Sequence, residues 1–180
     1  MKKIIGLAGE IASGKGTAAE YIRNVYGGRV HRFSGMLRDL AERLYLEENR
    51  DNLQKMSTAV REYFGQDILC KTIYEDVKRD DSRYIVIDGV RRFQDVEKLK
   101  NLEEFSLVYI KADMEKRYQR ITKRGENVDD NSKTLEEFKK DNQKEAEKQI
   151  QELEKEADFV IDNNGSLEDL YRQIDDILKK

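Results

Sequence analysis

Apolar positions along the chain follow two alternating rhythms. Residues 3–8 form a short apolar run ending in a glycine-containing turn, and residues 14–26 then take helical spacing closed by Gly27 and Gly28. Residues 29–33 alternate like a short strand. Ser34 is placed to cap a helix carrying Leu37, Leu40, Ala41 and Leu44 on one face, with a second helix starting near Asp51. Helical spacing continues over 53–77 with a break at Gly65, and residues 84–87 are a continuous β-branched and aromatic run ending in Asp88 and Gly89. Such a run predicts a buried parallel strand.

The alternation continues with a helix over 96–102, a strand over 105–110 and a helix from Asp113 toward Arg124. Thr134, with Glu137 three residues on, forms a capping box for a long helix over 134–157. Its stripe of Leu135, Phe138, Ala146, Ile150 and Leu153 is thin amid dense charge, which predicts a solvated amphipathic helix. Residues 159–161 and the segment from Ser166 supply a last strand and helix. Five strands alternating with helices predict an α/β fold with a parallel sheet and a ligand crevice beyond the carboxyl ends of the strands.

Composition narrows this picture. The 180 residues fit one domain spanning 1–180, without internal repeats and without a proline to mark a rigid linker. Hydrophobic residues are 38% and charged residues 39%, so a modest core carries a heavily charged surface. The net charge of −3 offers no general attraction for nucleic acid or anionic membrane, so any anion site must be local. The single cysteine, Cys70, excludes an internal disulfide framework and a multi-cysteine zinc site and reads as a core filler. The sole histidine, His31, stands in the second strand outside any nucleophile or metal constellation. No apolar run approaches the roughly 18 residues of a membrane span, and the N-terminus lacks a signal-peptide cleavage pattern. A cytoplasmic location, with no membrane or nucleic-acid partner, is the expectation.

The strongest chemical signal is Gly9-Glu10-Ile11-Ala12-Ser13-Gly14-Lys15-Gly16-Thr17, a G-x-x-x-x-G-K spacing directly after a strand and before a helix. That context predicts a P-loop. Glycines let successive N–H groups converge on phosphate oxygens, the helix N-terminus adds partial positive charge, and Lys15 reaches the β/γ bridge. The hydroxyl falls one place later than in G-K-[ST], so Thr17 is expected to serve the α-phosphate, leaving magnesium held mainly by phosphates and water and no metal-ligating side chain.

The G-K-G-T form resembles adenylate-kinase-like nucleoside monophosphate kinases, and GLAGEIASGKGT also resembles the opening of dephospho-coenzyme A kinases; both belong to one P-loop kinase superfamily. The resemblance implies a P-loop NTPase three-layer sandwich, with a small acceptor-binding helical insertion at about 34–80 and a short lid at about 120–133. On it, Phe33-Ser34-Gly35-Met36-Leu37-Arg38 resembles the acceptor segment, giving Ser34 and Arg38 to the acceptor phosphate. Asp88-Gly89-Val90-Arg91-Arg92 resembles the Asp-Gly-x-x-Arg turn, in which Arg92 matches the clamping arginine and Arg91, standing where the family usually has proline, competes with it. Asp88 is a partner for magnesium-bound water by the same comparison.

Arg120 and Arg124, four apart after Arg117, resemble the start of the kinase lid and are assigned to the transferring phosphoryl group. Residues 157–170 resemble the terminal segment of dephospho-coenzyme A kinases, which places Asn163, Asn164 and Gly165 against the adenine; Asn-Asn-Gly before a capping serine is equally good turn chemistry. These resemblances leave residues 45–83 and 134–156 largely uncovered.

Together they imply transfer of the γ-phosphoryl of ATP to a nucleoside or deoxynucleoside monophosphate, with Lys15, Arg92, Arg120, Arg124 and magnesium neutralising charge. Dephospho-coenzyme A is the alternative acceptor; it would need a carboxylate base such as Asp39. A GTPase switch is disfavoured because the Asn/Thr-Lys-x-Asp motif is missing, and a nucleotide-gated binding module that uses the long helix is the third reading. A monomer or weak homodimer is expected, with small-molecule nucleotides as partners.

Overall fold

The computed structural model describes residues 2–124, 134–142 and 145–180; the side chains at 50, 124, 141 and 145–148 lie outside that description. Five parallel strands, β1 (Lys3–Ala8), β2 (Arg29–Arg32), β3 (Tyr84–Val90), β4 (Phe105–Lys111) and β5 (Phe159–Asp162), form one sheet in the order β2-β3-β1-β4-β5. The first strand is therefore central, and its carboxyl end opens between β3 and β4. Helices cover both faces of the sheet, which is the α/β sandwich the alternation predicts.

The period-2 pattern of β1 sorts its side chains between the two faces. Ile5 and Leu7 join Val86, Val108, Ile110 and Ile161 under α1 (Lys15–Tyr26), through Ala18, Ala19 and Ile22. On the other face Ile4 and Ala8 join Ile85, Ile87, Leu107 and Tyr109. These pack under α2 (Phe33–Arg43), α4 (Ile68–Arg79) and α5 (Phe93–Glu97), while α3 (Arg50–Phe64) packs outside them through Leu53, Met56 and Val60. Cys70 is buried in that layer, as expected of a core filler, and its thiol donates to the Asp95 carbonyl. The break at Gly65 ends α3, and Asn49 rather than Asp51 caps its start, accepting from the Asn52 N–H.

Three expectations are corrected. Ser34 does not cap α2: the helix begins at Phe33 with Arg32 in the extended cap position and no side-chain cap bond, so Ser34 lies inside the first turn. The reason is that β2 runs straight into the helix without an intervening loop residue. The helix predicted over 96–102 is instead the short α5 followed by a 3-10 turn at Leu99–Asn101.

The stretch over 134–157 is not a solvated helix either. Its described residues form α7 (Leu135–Asn142), α8 (Glu145–Glu152) and a 3-10 turn at Leu153–Glu156. Phe138 is fully buried against Ala12 and Ile121, while Ile150 and Leu153 enter the main core. Burying one such ring contributes about 2–3 kcal/mol, so even a thin stripe suffices to dock the segment. The capping box is present as expected, with Thr134 Oγ1 accepting from the Glu137 N–H at 3.3 Å.

Candidate functional site

The segment between β1 and α1 wraps as a P-loop. Gly9 has φ +142 and Gly14 φ +112, conformations open to glycine. A side chain at Gly9 would run into the Ile110 carbonyl, and one at Gly14 into the Asn163 amide. Ala12 also takes a left-handed φ of 60 and is held there by the Phe138 and Ile121 cluster. Lys15 Nζ donates to the carbonyls of Gly9 (2.6 Å) and Glu10 (2.9 Å), so its ammonium lies over the loop it is expected to serve. Ser13 is 1% exposed and its hydroxyl has no hydrogen-bond partner among the described residues, which fits a loop whose remaining partner is a phosphate oxygen. Thr17 is half-buried in the first turn of α1.

Behind the loop stand braces that sequence reasoning placed elsewhere. Arg117, in α6 (Met114–Arg124), is 2% exposed and donates to Ala112 O (3.0 Å), Ile11 O (3.3 Å), Asn142 Oδ1 (2.7 Å) and Glu10 Oε1 (2.9 Å). It ties the P-loop to α6 and α7, and Gln151 of α8 adds a second donor to Glu10 at 3.0 Å. Just before the expected lid, Arg117 is an interior post. No periodicity marks it, because the four acceptors come from three separate segments: the P-loop, the end of β4 and α7.

Arg120 reaches the same loop, donating to Asn163 O (2.8 Å) and, at 3.5 Å, to Ser13 O. Burial lowers its pKa. Arg124 ends α6, its side chain outside the description; the rest of the expected lid, residues 125–133, also lies outside the described residues.

The turn after β5, given to the adenine by resemblance and read equally as turn chemistry, is bonded to its neighbours. Asn163 is 4% exposed, and its amide donates to Ser13 O at 2.7 Å while its own carbonyl is taken by Arg120. Asn164 is also engaged: its N–H donates to Asp162 (2.9 Å), its Oδ1 accepts from the Asp113 N–H (2.9 Å) and its carbonyl accepts from Lys116. These two residues therefore lock the turn to the P-loop and to α6, and Gly165 stands exposed before the Ser166–Asp169 capping box of α9 (Leu167–Lys179). A cavity of about 300 Å³ lined by Asp113, Met114, Glu115, Leu135 and Lys139 opens at the start of α6 on this side.

On the other flank, β3 carries the second set of candidates. Leu7 of β1 pairs with Asp88 but Ala8 pairs with Val90, so Gly89, at φ +93, is an extra bulged residue. The bulge re-aims the strand end and sends Arg91 and Arg92 into a turn beside the P-loop strand. Asp95 fixes that turn: its Oδ2 accepts the N–H groups of Arg91 and Arg92, each at 3.1 Å. Asp88 is half-buried and meets Arg32 Nε at 3.2 Å across the β2–β3 register. That partner was missed because parallel register cannot be read from one strand. Arg38 is not gathered into this cluster; its guanidinium pairs with Glu48 at 2.8 Å on the surface, and Asp39 beside it is exposed. Among the described residues no group of three or more His, Cys, Asp or Glu side chains comes together as a metal cage.

A phosphate-cradling loop on the central strand, with an arginine turn on its neighbour, is the arrangement of a nucleotide-binding P-loop domain. The sequence profile described as the AAA domain matches residues 8–139, most of the chain. A UPF0200 protein of Pyrococcus abyssi is 31% identical over 98% of this chain and 96% of its own length, and one of Staphylothermus marinus 30% identical over 98% and 92%. The chain belongs to the UPF0200 family of AAA-domain proteins.

A UPF0200/UPF0201 protein of Archaeoglobus fulgidus is 32% identical, and this chain spans 55% of its length. Two solved structures share the fold of this UPF0200 chain: TT1252 from Thermus thermophilus (TM-score 0.63, 20% identity, 99% of this chain and 97% of that one) and a protein from Eubacterium ventriosum (TM-score 0.62, 15% identity, 99% and 97%). The domain is thus kinase-like and nucleotide-binding, and no helix among its described residues is long and apolar enough to cross a membrane.

Proposed function

We propose that the chain is a phosphotransferase that moves the γ-phosphoryl group of ATP onto a small phosphorylated acceptor, a nucleoside or deoxynucleoside monophosphate. The observation that carries this reading is the pairing of two anion-facing turns on adjacent strand ends: the P-loop after β1 and the Asp95-pinned Arg91-Arg92 turn after β3. Two phosphate groups held on neighbouring strands can be brought into line, which is most of what phosphoryl transfer requires of a protein.

In this reading Lys15 and the loop amides hold the β- and γ-phosphates, while Arg120, already seated on the Ser13 and Asn163 carbonyls, stands at the rim of the same loop. Arg92, with Arg91 beside it, faces the acceptor, and Arg124 belongs to the closing segment; Ser34 and Arg38 border the acceptor helix. Magnesium bound through phosphate oxygens and water would supply charge neutralisation at the transferring group. The acceptor oxygen of a monophosphate is already an anion and needs no strong base. Dephospho-coenzyme A needs one to free a ribose hydroxyl, and Asp39 is exposed on α2 while Asp88 is paired with Arg32. That contrast favours the monophosphate.

The test is ADP release with ATP and magnesium against AMP, CMP, UMP, GMP, their deoxy forms and dephospho-coenzyme A, with product mass determined. A phosphorylated monophosphate appearing in step with ADP is the expected result. Turnover with dephospho-coenzyme A alone would reassign the acceptor, and stoichiometric nucleotide binding with no transfer to any of them would replace the enzyme by a binding module.

A further inference from the structure

The resemblances name no site residue within 45–83, yet α3 delivers an arginine to the candidate acceptor turn. Arg61, in the last turn of α3, keeps 11% of its side chain exposed. Its Nη2 donates to Asp95 Oδ1 at 3.4 Å, and its Nη1 donates to the Ser57 hydroxyl one turn back. Its Nε is buried and meets no hydrogen-bond partner among the described residues. Asp95, 2% exposed, is the carboxylate whose other oxygen holds the Arg91 and Arg92 amides. One buried anion therefore joins the acceptor helices to the two-arginine turn.

This arrangement leaves Arg61 short of negative charge. A guanidinium so far from water is normally matched by a close carboxylate with its remaining donors satisfied. Here the carboxylate stands at the outer limit of hydrogen-bond distance and is shared with two amides. Burial lowers the Arg61 pKa, Asp95 opposes that, and the nearby charges of Arg92 and Arg91 lower it again. Ser57 offers only a hydroxyl dipole.

We propose that Arg61 is a specificity-determining residue for the acceptor, forming with Arg92 a socket that takes a doubly charged phosphate monoester against the Asp95-pinned turn. The proposal rests on the phosphotransferase reading and narrows it. A dianion with three terminal oxygens can meet the guanidinium groups of Arg61 and Arg92 together while Asp95 stays on the amides. A neutral hydroxyl acceptor would leave both guanidinium groups around one shared carboxylate. Phe64, three residues after Arg61 and 71% exposed, and Phe93, next to Arg92 and 38% exposed, offer open aromatic faces close along the chain, as an acceptor with a planar base requires.

The test uses the full chain saturated with magnesium and an ATP analogue whose β–γ bridge cannot be hydrolysed. Inorganic phosphate is then titrated at constant ionic strength and followed by calorimetry. Arg61→Met should weaken phosphate binding roughly tenfold or more while analogue affinity stays within roughly twofold. Arg61→Lys, which keeps the charge but loses the planar fork, should fall between. Lys55→Gln removes a positive charge from the exposed side of the same helix, where Lys55 pairs with Asp51, and should leave phosphate binding as it is.

Phosphate affinity in Arg61→Met equal to wild type overturns the inference, as does a wild-type chain that binds the analogue but no phosphate. If Arg61→Met does not fold, Arg61→Lys decides: affinity equal to wild type overturns the socket, and a loss of roughly threefold or more with normal analogue binding supports it. A wild-type chain that fails to bind the analogue would instead strike at the phosphotransferase reading itself.

Discussion

On the nucleotide side of the cleft Ser13, Arg117 and Asn163 are 1%, 2% and 4% exposed, and the P-loop they brace draws hydrogen bonds from α6, α8 and the turn after β5. On the acceptor side Arg38 and Glu48 form their ion pair with 48% and 47% of their side chains in solvent, and Leu40, Leu44 and Tyr45 at the end of α2 stand exposed. Interior packing fixes the first set before any ligand arrives, because moving one brace would strand several buried polar groups. The second set has little to lose by moving. A site that, on the proposed function, holds one phosphate chain rigidly and admits a second substrate has reason to be built with this asymmetry.

The sharpest way to break the comparison is Lys15→Ala. Its ammonium bonds the Gly9 and Glu10 carbonyls of the loop, and turnover should fall about 10³-fold with the melting temperature unchanged. Transfer that persists would remove the P-loop from the chemistry. Arg117→Met comes next: it leaves the Glu10 carboxylate and the Asn142 side chain without their shared donor, and stability in urea should drop by about 3 kcal/mol. A loss confined to nucleotide binding, with the urea midpoint intact, would mean that the nucleotide side is less pre-formed than its burial implies.

The acceptor side should answer to acid. Asp80, at the carboxyl end of α4, is pushed up by burial, but hydrogen bonds from Ser82 and then His31 (2.7 Å) outweigh this and hold its carboxyl at about 2. A carboxyl held below its ordinary value near 4 stabilises the fold fully above that value and loses the contribution as pH falls toward 2. About 2 kcal/mol should therefore disappear between pH 4 and pH 2, and Asp80→Asn should flatten that part of the stability profile. Glu48→Gln, which removes only the exposed partner of Arg38, should change stability by less than about 0.5 kcal/mol. A larger effect would show that the acceptor helices are clamped as firmly as the P-loop.

Much of this molecule was readable along the chain because its signals are local. The P-loop lies in nine consecutive residues, the capping boxes at Thr134 and Ser166 span four each, and β-branched runs mark the strands. The failures share a cause. Ser34 looked like a cap because a hydroxyl preceded an apolar stripe, and only the direct run of β2 into α2 moved the boundary. Arg117 was given no role and Asn163 read as a base-site or turn residue, yet their acceptors lie far off in sequence, at Glu10, Ile11, Asn142 and Ser13. Arg61 attracted no attention because α3 carries no motif.

The sequence by itself determined the alternation of strands and helices, the family and the phosphate cradle, since each is encoded by residues whose spacing matches a backbone period or a turn. Only the tertiary structure decided which charged side chains are posts and which are open to a ligand. Burial, and the partners that make burial tolerable, depend on where the strand order β2-β3-β1-β4-β5 brings distant segments together.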